Sequence, residues 1–189
     1  QSLRLALIEQ LGGFKKIKWG HRLVNVKEIE GDGVALSFEV NGKLLHTKAN
    51  LVVGADGIRS VVRKLLIGDE VTPLRYLDCI VILGICPLKA LENSQNPLLD
   101  AATVFQTANG YERIYIMPYD SVSVMWQLSF PMTEKDAKAL SLKGPKSLKE
   151  EAIRRTNWHE PIPQILNATH ESQISGYPVY DRELINSEL

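Results

Sequence analysis

Apolar positions along this chain switch between helical and alternating spacing, and the switches mark out its elements. Leu3, Leu7, Ile8 and Leu11 fall on one face of a helix that Gly12-Gly13 would end. From Ile17 to Val40 the pattern alternates: Leu23, Val24, Val26 and Ile29, then Val34, Leu36, Phe38 and Val40, on either side of Glu30-Gly-Asp-Gly33. That predicts a β-hairpin, and Asn41-Gly42 predicts a second, type I′ turn into a strand over Leu44–Thr47. After Gly68-Asp69 four more strand-like runs follow, at Tyr76–Ile85, Thr103–Gln106, Ile114–Met117 and Val122–Phe130, implying a sheet of about four strands. Thr133 with Asp136, and Ser147 with Glu150, read as helix starts, the second as a capping box, and Trp158 and Ile165 suit a helical core beyond them. Strand character returns from Ile174 to Leu184.

The most informative stretch is Leu51-Val-Val-Gly-Ala-Asp-Gly-Ile-Arg-Ser-Val-Val-Arg63. Leu51–Val53 reads as a short strand buried on both faces, and Gly54, Asp56 and Gly57 would permit a sharp reversal. Ile58, Val61, Val62, Leu65 and Leu66 then form one helical stripe, with Arg59, Ser60, Arg63 and Lys64 on the other face. Unpaired amides and the positive dipole end at such a helix start favour an anion such as a pyrophosphate. A plainer reading stands beside it: Asp56 as the helix N-cap, Ser60 as first-turn polarity and the arginines as solvated surface.

Bulk properties narrow the classes. Lys plus Arg and Asp plus Glu are balanced at 22 each, so no net field points to nucleic acid or an acidic membrane, and a small-molecule site is favoured. Cys79 and Cys86 cannot by themselves define a disulfide framework or a metal site; buried free thiols in a reducing cytoplasm are expected. No run of about 18 apolar residues and no leader pattern occurs, which leads us to expect a cytoplasmic protein with no integral membrane segment. Oligomeric state is not encoded in any visible pattern. The chain begins at Gln1 in what reads as the middle of a helix, so we expect a piece of a longer protein.

Gly54-Ala-Asp-Gly-Ile-Arg-Ser-Val-Val-Arg63 after an apolar run resembles the Asp-Gly motif of FAD-dependent aromatic hydroxylases, the group A flavoprotein monooxygenases typified by para-hydroxybenzoate hydroxylase. The resemblance covers nearly the whole chain and implies a mixed α+β and α/β fold. In it, residues 1–70 form part of a Rossmann-like FAD-binding domain, 71–178 an antiparallel, β-rich substrate domain with helices, and 179–189 a return strand that contains the Asp181-Arg182 pair. It also implies cofactor roles for Asp56, Gly57, Ser60 and Arg63 beside FAD, with NAD(P)H as co-substrate. Arg4, in the Arg4-x-x-Leu7-x-x-x-Leu11 pattern of the family's helix, is implied to approach the flavin; alone it reads as a surface arginine. The family's Gly-x-Gly-x-x-Gly fingerprint and its Gly-Asp motif are absent from the chain and would flank it, so the chain alone is expected to bind FAD weakly or not at all.

Hydroxylation by this class needs positioning more than acid–base side chains, because the flavin carries the chemistry. In keeping with that, His21, His46, His159 and His170 lack metal-ligand spacing, and no nucleophile motif occurs. By the same resemblance, substrate contacts come from the sheet: Tyr115 and Met117 share a face of their strand, and Trp126 lies on its expected partner. The alternative is that these three fill the core. Gln106 and Gln127 could orient a polar substituent, or be plain surface residues. The implied activity is hydroxylation of an aromatic or polyketide-like small molecule with NAD(P)H and O2. A flavin halogenase or reductase of the same fold, or a redox-inactive binding module, are the rival readings.

Overall fold

The computed structural model describes residues 2–91 and 96–183 and divides into two compact units, one running to Pro73 and resuming at Arg182, the other Leu74–Asp181. The first unit opens with α1 (Ser2–Gln10), which Gly12 and Gly13 end as expected at φ 98° and 90°. A three-stranded antiparallel sheet follows, β1 (Arg22–Ile29), β2 (Gly33–Val40) and β3 (Lys43–Ala49), in the order β1-β2-β3. Asn41 and Gly42, at φ 50° and 75°, make the type I′ turn between β2 and β3.

Two expectations for this unit need correction. Leu51–Val53 is not a buried strand: the segment is extended but unpaired, and Leu51 and Val53 are each 78% exposed. A parallel strand exists only through its neighbours, and no strand among the described residues offers it a ladder. The helix that follows, α2 (Val61–Leu66), starts three residues later than its apolar stripe implied. Ile58 belongs to a turn, and Leu66 is exposed. The stripe of α1 is exposed likewise at Leu3, Leu7 and Leu11, leaving Ile8 as its buried residue.

The second unit is built on one sheet in the order β5-β6-β7-β4-β8, formed by β4 (Leu74–Pro87), β5 (Phe105–Ala108), β6 (Arg113–Asp120), β7 (Ser123–Pro131) and β8 (Ile174–Arg182). The fifth strand was not counted from the sequence. It is the return strand, and through Asp181 it takes an edge position beside β4, where Asp181 pairs with Arg75 at 2.7 Å; residues 184–189 lie outside the described residues.

Period-two burial decides which face of this sheet is core. Ile80, Ile82 and Cys86 of β4, Ile114 and Ile116 of β6, and Val124, Trp126, Leu128 and Phe130 of β7 are buried. They pack with Ala137 of α3 (Glu134–Leu142), Leu148 and Ala152 of α4 (Pro145–Arg155), and Ile162, Ile165 and Leu166 of α5 (Ile162–Ala168). Each large side chain so buried contributes on the order of 1.5–3 kcal/mol, which makes this layer the main source of the unit's stability. Thr133 caps α3 by accepting the Asp136 amide at 3.2 Å, as expected. Ser147 does not cap α4, which starts at Pro145 after Gly144; proline fits the first helical turn because its missing N–H is not needed there. Both cysteines are free thiols, Cys86 buried and Cys79 half-buried on the opposite face, and burial raises the pKa of each. Among the described residues no helix is long and apolar enough to cross a membrane.

Candidate functional site

In the first unit the Asp-Gly segment folds into a self-braced turn. Gly57 takes φ 78°, where a Cβ would be strained, and nothing lies within 4 Å of where that Cβ would be, so its backbone is open to approach. Gly54 serves a different end from the reversal expected of it: a Cβ there would come 2.7 Å from Cβ of Val62, so glycine lets the extended segment lie against α2. Asp56 accepts the amides of Val61 at 2.7 Å and Val62 at 3.2 Å, and the Ser60 hydroxyl donates to its other oxygen. Ser60 is itself the N-cap, accepting the Arg63 amide at 3.0 Å. The Ser60 hydroxyl, and then the two amides, hold the Asp56 carboxyl below its ordinary pKa against some opposing desolvation. Arg63 donates from Nη1 to the Ile58 carbonyl at 3.2 Å.

Asp56, Gly57, Ser60 and Arg63 are therefore brought together, but not as a vacant anion site. The amides that would cap a pyrophosphate are already taken by Asp56 and Ser60. What the turn offers instead is a run of exposed residues from Gly54 to Arg59, open over the Gly57 backbone, with Arg63 and Lys64 following. These residues fit a cofactor that lies along the turn and is met by backbone groups and guanidinium charge, rather than one whose phosphate sits on the helix axis. Arg4 lies elsewhere in this unit, stacked 5.3 Å from the centroid of the Trp19 ring, at an apolar groove of about 370 Å³ between α1 and Ile17.

In the second unit the expected trio is split. Tyr115 and Met117 share the face of the sheet turned away from the helices, where the Tyr115 hydroxyl donates to Met117 Sδ at 3.0 Å. Trp126 points the opposite way. It pairs with Ile116 of β6 and Gly84 of β4, is fully buried, and donates its indole N–H to Thr169 Oγ1 at 2.9 Å. Facing residues of an antiparallel pair share a side, so a residue paired with Ile116 cannot stand beside Tyr115. The true cross-strand partners of Tyr115 are Gln106 and Gln127.

This face is ordered in rows across the strands. Gln106, Tyr115, Gln127 and Leu83 form one, and Met117, Met125 and Ile85 the next. On the other side of the glutamine row lie Ala108, Arg113, Ser129 and Val81. Sequence reasoning missed Arg113 and Met125, although extending the alternation of Tyr115 and Met117 by one step would have found Arg113. A depression of about 470 Å³ opens beside Arg113, Ser129, Cys79 and Tyr111. Among the described residues no side-chain cluster could hold a metal ion.

No protein-family model matches the chain, and no curated protein does. Its fold does match solved structures. HpxO of Klebsiella pneumoniae, complexed with FAD and uric acid, superposes with a TM-score of 0.75 at 18% identity over 96% of this chain and 42% of its own. An FAD-containing monooxygenase of Photorhabdus luminescens gives 0.65 at 16% over 90% and 48%, and CmlS, a flavin-dependent halogenase, gives 0.61 at 12% over 86% and 28%. The chain thus spans less than half the length of each, and it carries the fold of the corresponding part of FAD-dependent monooxygenases.

Proposed function

We propose that the chain is the central part of an FAD-dependent monooxygenase, in which residues 1–70 contribute to the flavin domain, 71–178 form the substrate domain and 179–189 lead back. The observation that carries this reading is the braced, backbone-exposed turn at Asp56–Arg63, lying within a chain whose fold follows an FAD-bound protein over 96% of its length. The chemistry that FAD supplies when bound is reduction by NAD(P)H and activation of O2. Asp56 and Ser60 hold the turn in shape, Gly57 leaves its backbone open, and Arg63 and Arg4 supply positive charge on the cofactor's side. Tyr115 and Met117 meet the substrate on the open sheet face, and Arg113 offers that face a cation. Trp126 supports the sheet from behind.

The test is to express the full reading frame that contains this chain. The reading predicts a yellow protein that releases FAD on denaturation and oxidises NAD(P)H in the presence of O2. A colourless product without NAD(P)H oxidation would overturn it. The fold likeness to CmlS supports a second reading, a flavin halogenase. That enzyme would require halide for product formation, whereas a monooxygenase would not.

A further inference from the structure

Building on the flavoprotein reading, we infer that the row Gln106–Tyr115–Gln127 recognises a planar heterocycle bearing adjacent ring N–H and C=O groups, a lactam or imide edge. The three residues are direct cross-strand partners, so their side chains leave one face in line. Two strand spacings separate the outer pair by roughly 10 Å, the width of a fused two-ring or three-ring system.

Each carboxamide presents a donor and an acceptor side by side, which is the pattern complementary to a lactam. Neither carboxamide has a hydrogen-bond partner among the described residues. The Tyr115 hydroxyl spends its proton on a thioether, a weak acceptor that a ligand carbonyl can displace. These polar groups therefore contribute little to the fold, and a hydrocarbon laid over them would leave them desolvated at a cost. The adjoining row of Met117, Met125 and Ile85 supplies soft, polarisable contact for a flat ring. No carboxyl, imidazole, amine or guanidinium group stands in either row; Arg113 belongs to the neighbouring row with Ser129. An anionic benzoate-type ligand would settle at Arg113, and a neutral lactam at the glutamines.

The experiment uses the isotope-labelled product of the full reading frame that contains this chain and follows the side-chain amide signals of Gln106 and Gln127 by NMR during titration with 2-quinolone, naphthalene and benzoate. We expect 2-quinolone, whose single lactam edge pairs with one carboxamide, to shift at least one of the two glutamine signals and benzoate to shift neither. Gln127→Leu should weaken 2-quinolone binding by roughly fivefold or more, the effect of one lost hydrogen bond, without weakening naphthalene. Gln106→Leu, at an exposed position, gives the same reading should the first variant fail to fold. Equal affinity for 2-quinolone and naphthalene, or unchanged 2-quinolone binding by both folded variants, would overturn the inference. FAD added to the same sample is read at the backbone amides of residues 56–63. Its outcome bears on the flavoprotein reading alone.

Discussion

Gly84 lies directly opposite Trp126 in the β4–β7 ladder, and a Cβ on Gly84 would come well inside van der Waals contact distance of the indole at Cε2. Glycine is thus a packing requirement in the middle of the sheet rather than a weak point. Gly84→Ala should cost about 1–3 kcal/mol through overpacking and lower the melting temperature. Adding Trp126→Leu, which shrinks the clashing group, should make the two effects less than additive in a double-mutant cycle. Strict additivity would show that the two residues do not meet.

Because Trp126 faces the helices and Tyr115 does not, their variants should separate cleanly. Trp126→Phe removes a buried indole and its hydrogen bond to Thr169, so we expect a loss of about 1–3 kcal/mol in denaturant unfolding. Tyr115→Phe gives up a hydroxyl that bonds only a thioether and should change stability by less than about 0.5 kcal/mol. A stable Trp126→Phe variant with altered ligand affinity would mean that the indole reaches the open face after all.

Asp56 organises the start of α2 by accepting two amides and a hydroxyl. Asp56→Ala should cost about 1 kcal/mol, as expected for a lost cap at an exposed helix end. Its folded pKa lies below its ordinary value of 3.8, mainly because of Ser60. The stabilisation it gives is therefore fully present above pH 3.8 and lost as pH falls through the lowered folded value. NMR titration of the Asp56 carboxyl should show the lowered midpoint, and Ser60→Ala should move it back up.

Arg155 joins three elements of the second unit. Its Nη1 donates to Glu112 at 2.8 Å, its Nε donates to Glu151 at 2.7 Å, and the guanidinium stacks 3.9 Å from the Phe130 ring centroid. A planar fork makes all three contacts together and an ammonium cannot, so Arg155→Lys should destabilise by about 2–3 kcal/mol, close to Arg155→Ala. The Glu151 carboxyl is held below its ordinary 4.5, first by Arg154 and then by Arg155, against desolvation. Stability from this group is present above pH 4.5 and fades as pH falls through the lowered value. Glu151→Gln should be less stable at neutral pH and should flatten that acid decline, as checked by urea unfolding across pH.

Local signals carried most of the fold, and long-range register carried what was missed. The hairpins were legible because Asn41-Gly42 and the alternation around Gly31 are chemistry of neighbouring residues. The face of Trp126 was not, because it depends on pairing with Ile116 through a ladder that shifts register between Pro118 and Asp120. The Asp-Gly turn was recognisable from its residues, but its wiring was not. Asp56 and Ser60 are each suited to capping, and only the structure shows them sharing the amides of Val61, Val62 and Arg63. Leu51–Val53 misled for the converse reason: an apolar, β-branched run encodes a preference for strand, while the ladder that makes one comes from elsewhere.

Arg182 braces the same turn from the far end of the sequence. Its Nε donates to the Ile58 carbonyl at 2.7 Å, Nη1 to the Thr72 carbonyl and Nη2 to Asp69 at 3.4 Å, and its side chain is only 11% exposed. The Ile58 carbonyl thereby accepts from two guanidiniums, Arg182 and Arg63. Arg182→Met would preserve the apolar stem but strip the buried Thr72 of this donor to its carbonyl, at about 1–3 kcal/mol, and leave the Ile58 carbonyl to Arg63 alone. That cost should fall on the turn, so hydrogen exchange at the amides of Val61 and Val62 should accelerate roughly tenfold or more while the amides of β2 keep their protection. Arg182→Lys should restore only part of it, because one ammonium cannot reach all three acceptors. If exchange at Val61 and Val62 is the same in Arg182→Met as in the parent, the turn is held by Asp56 and Ser60 alone.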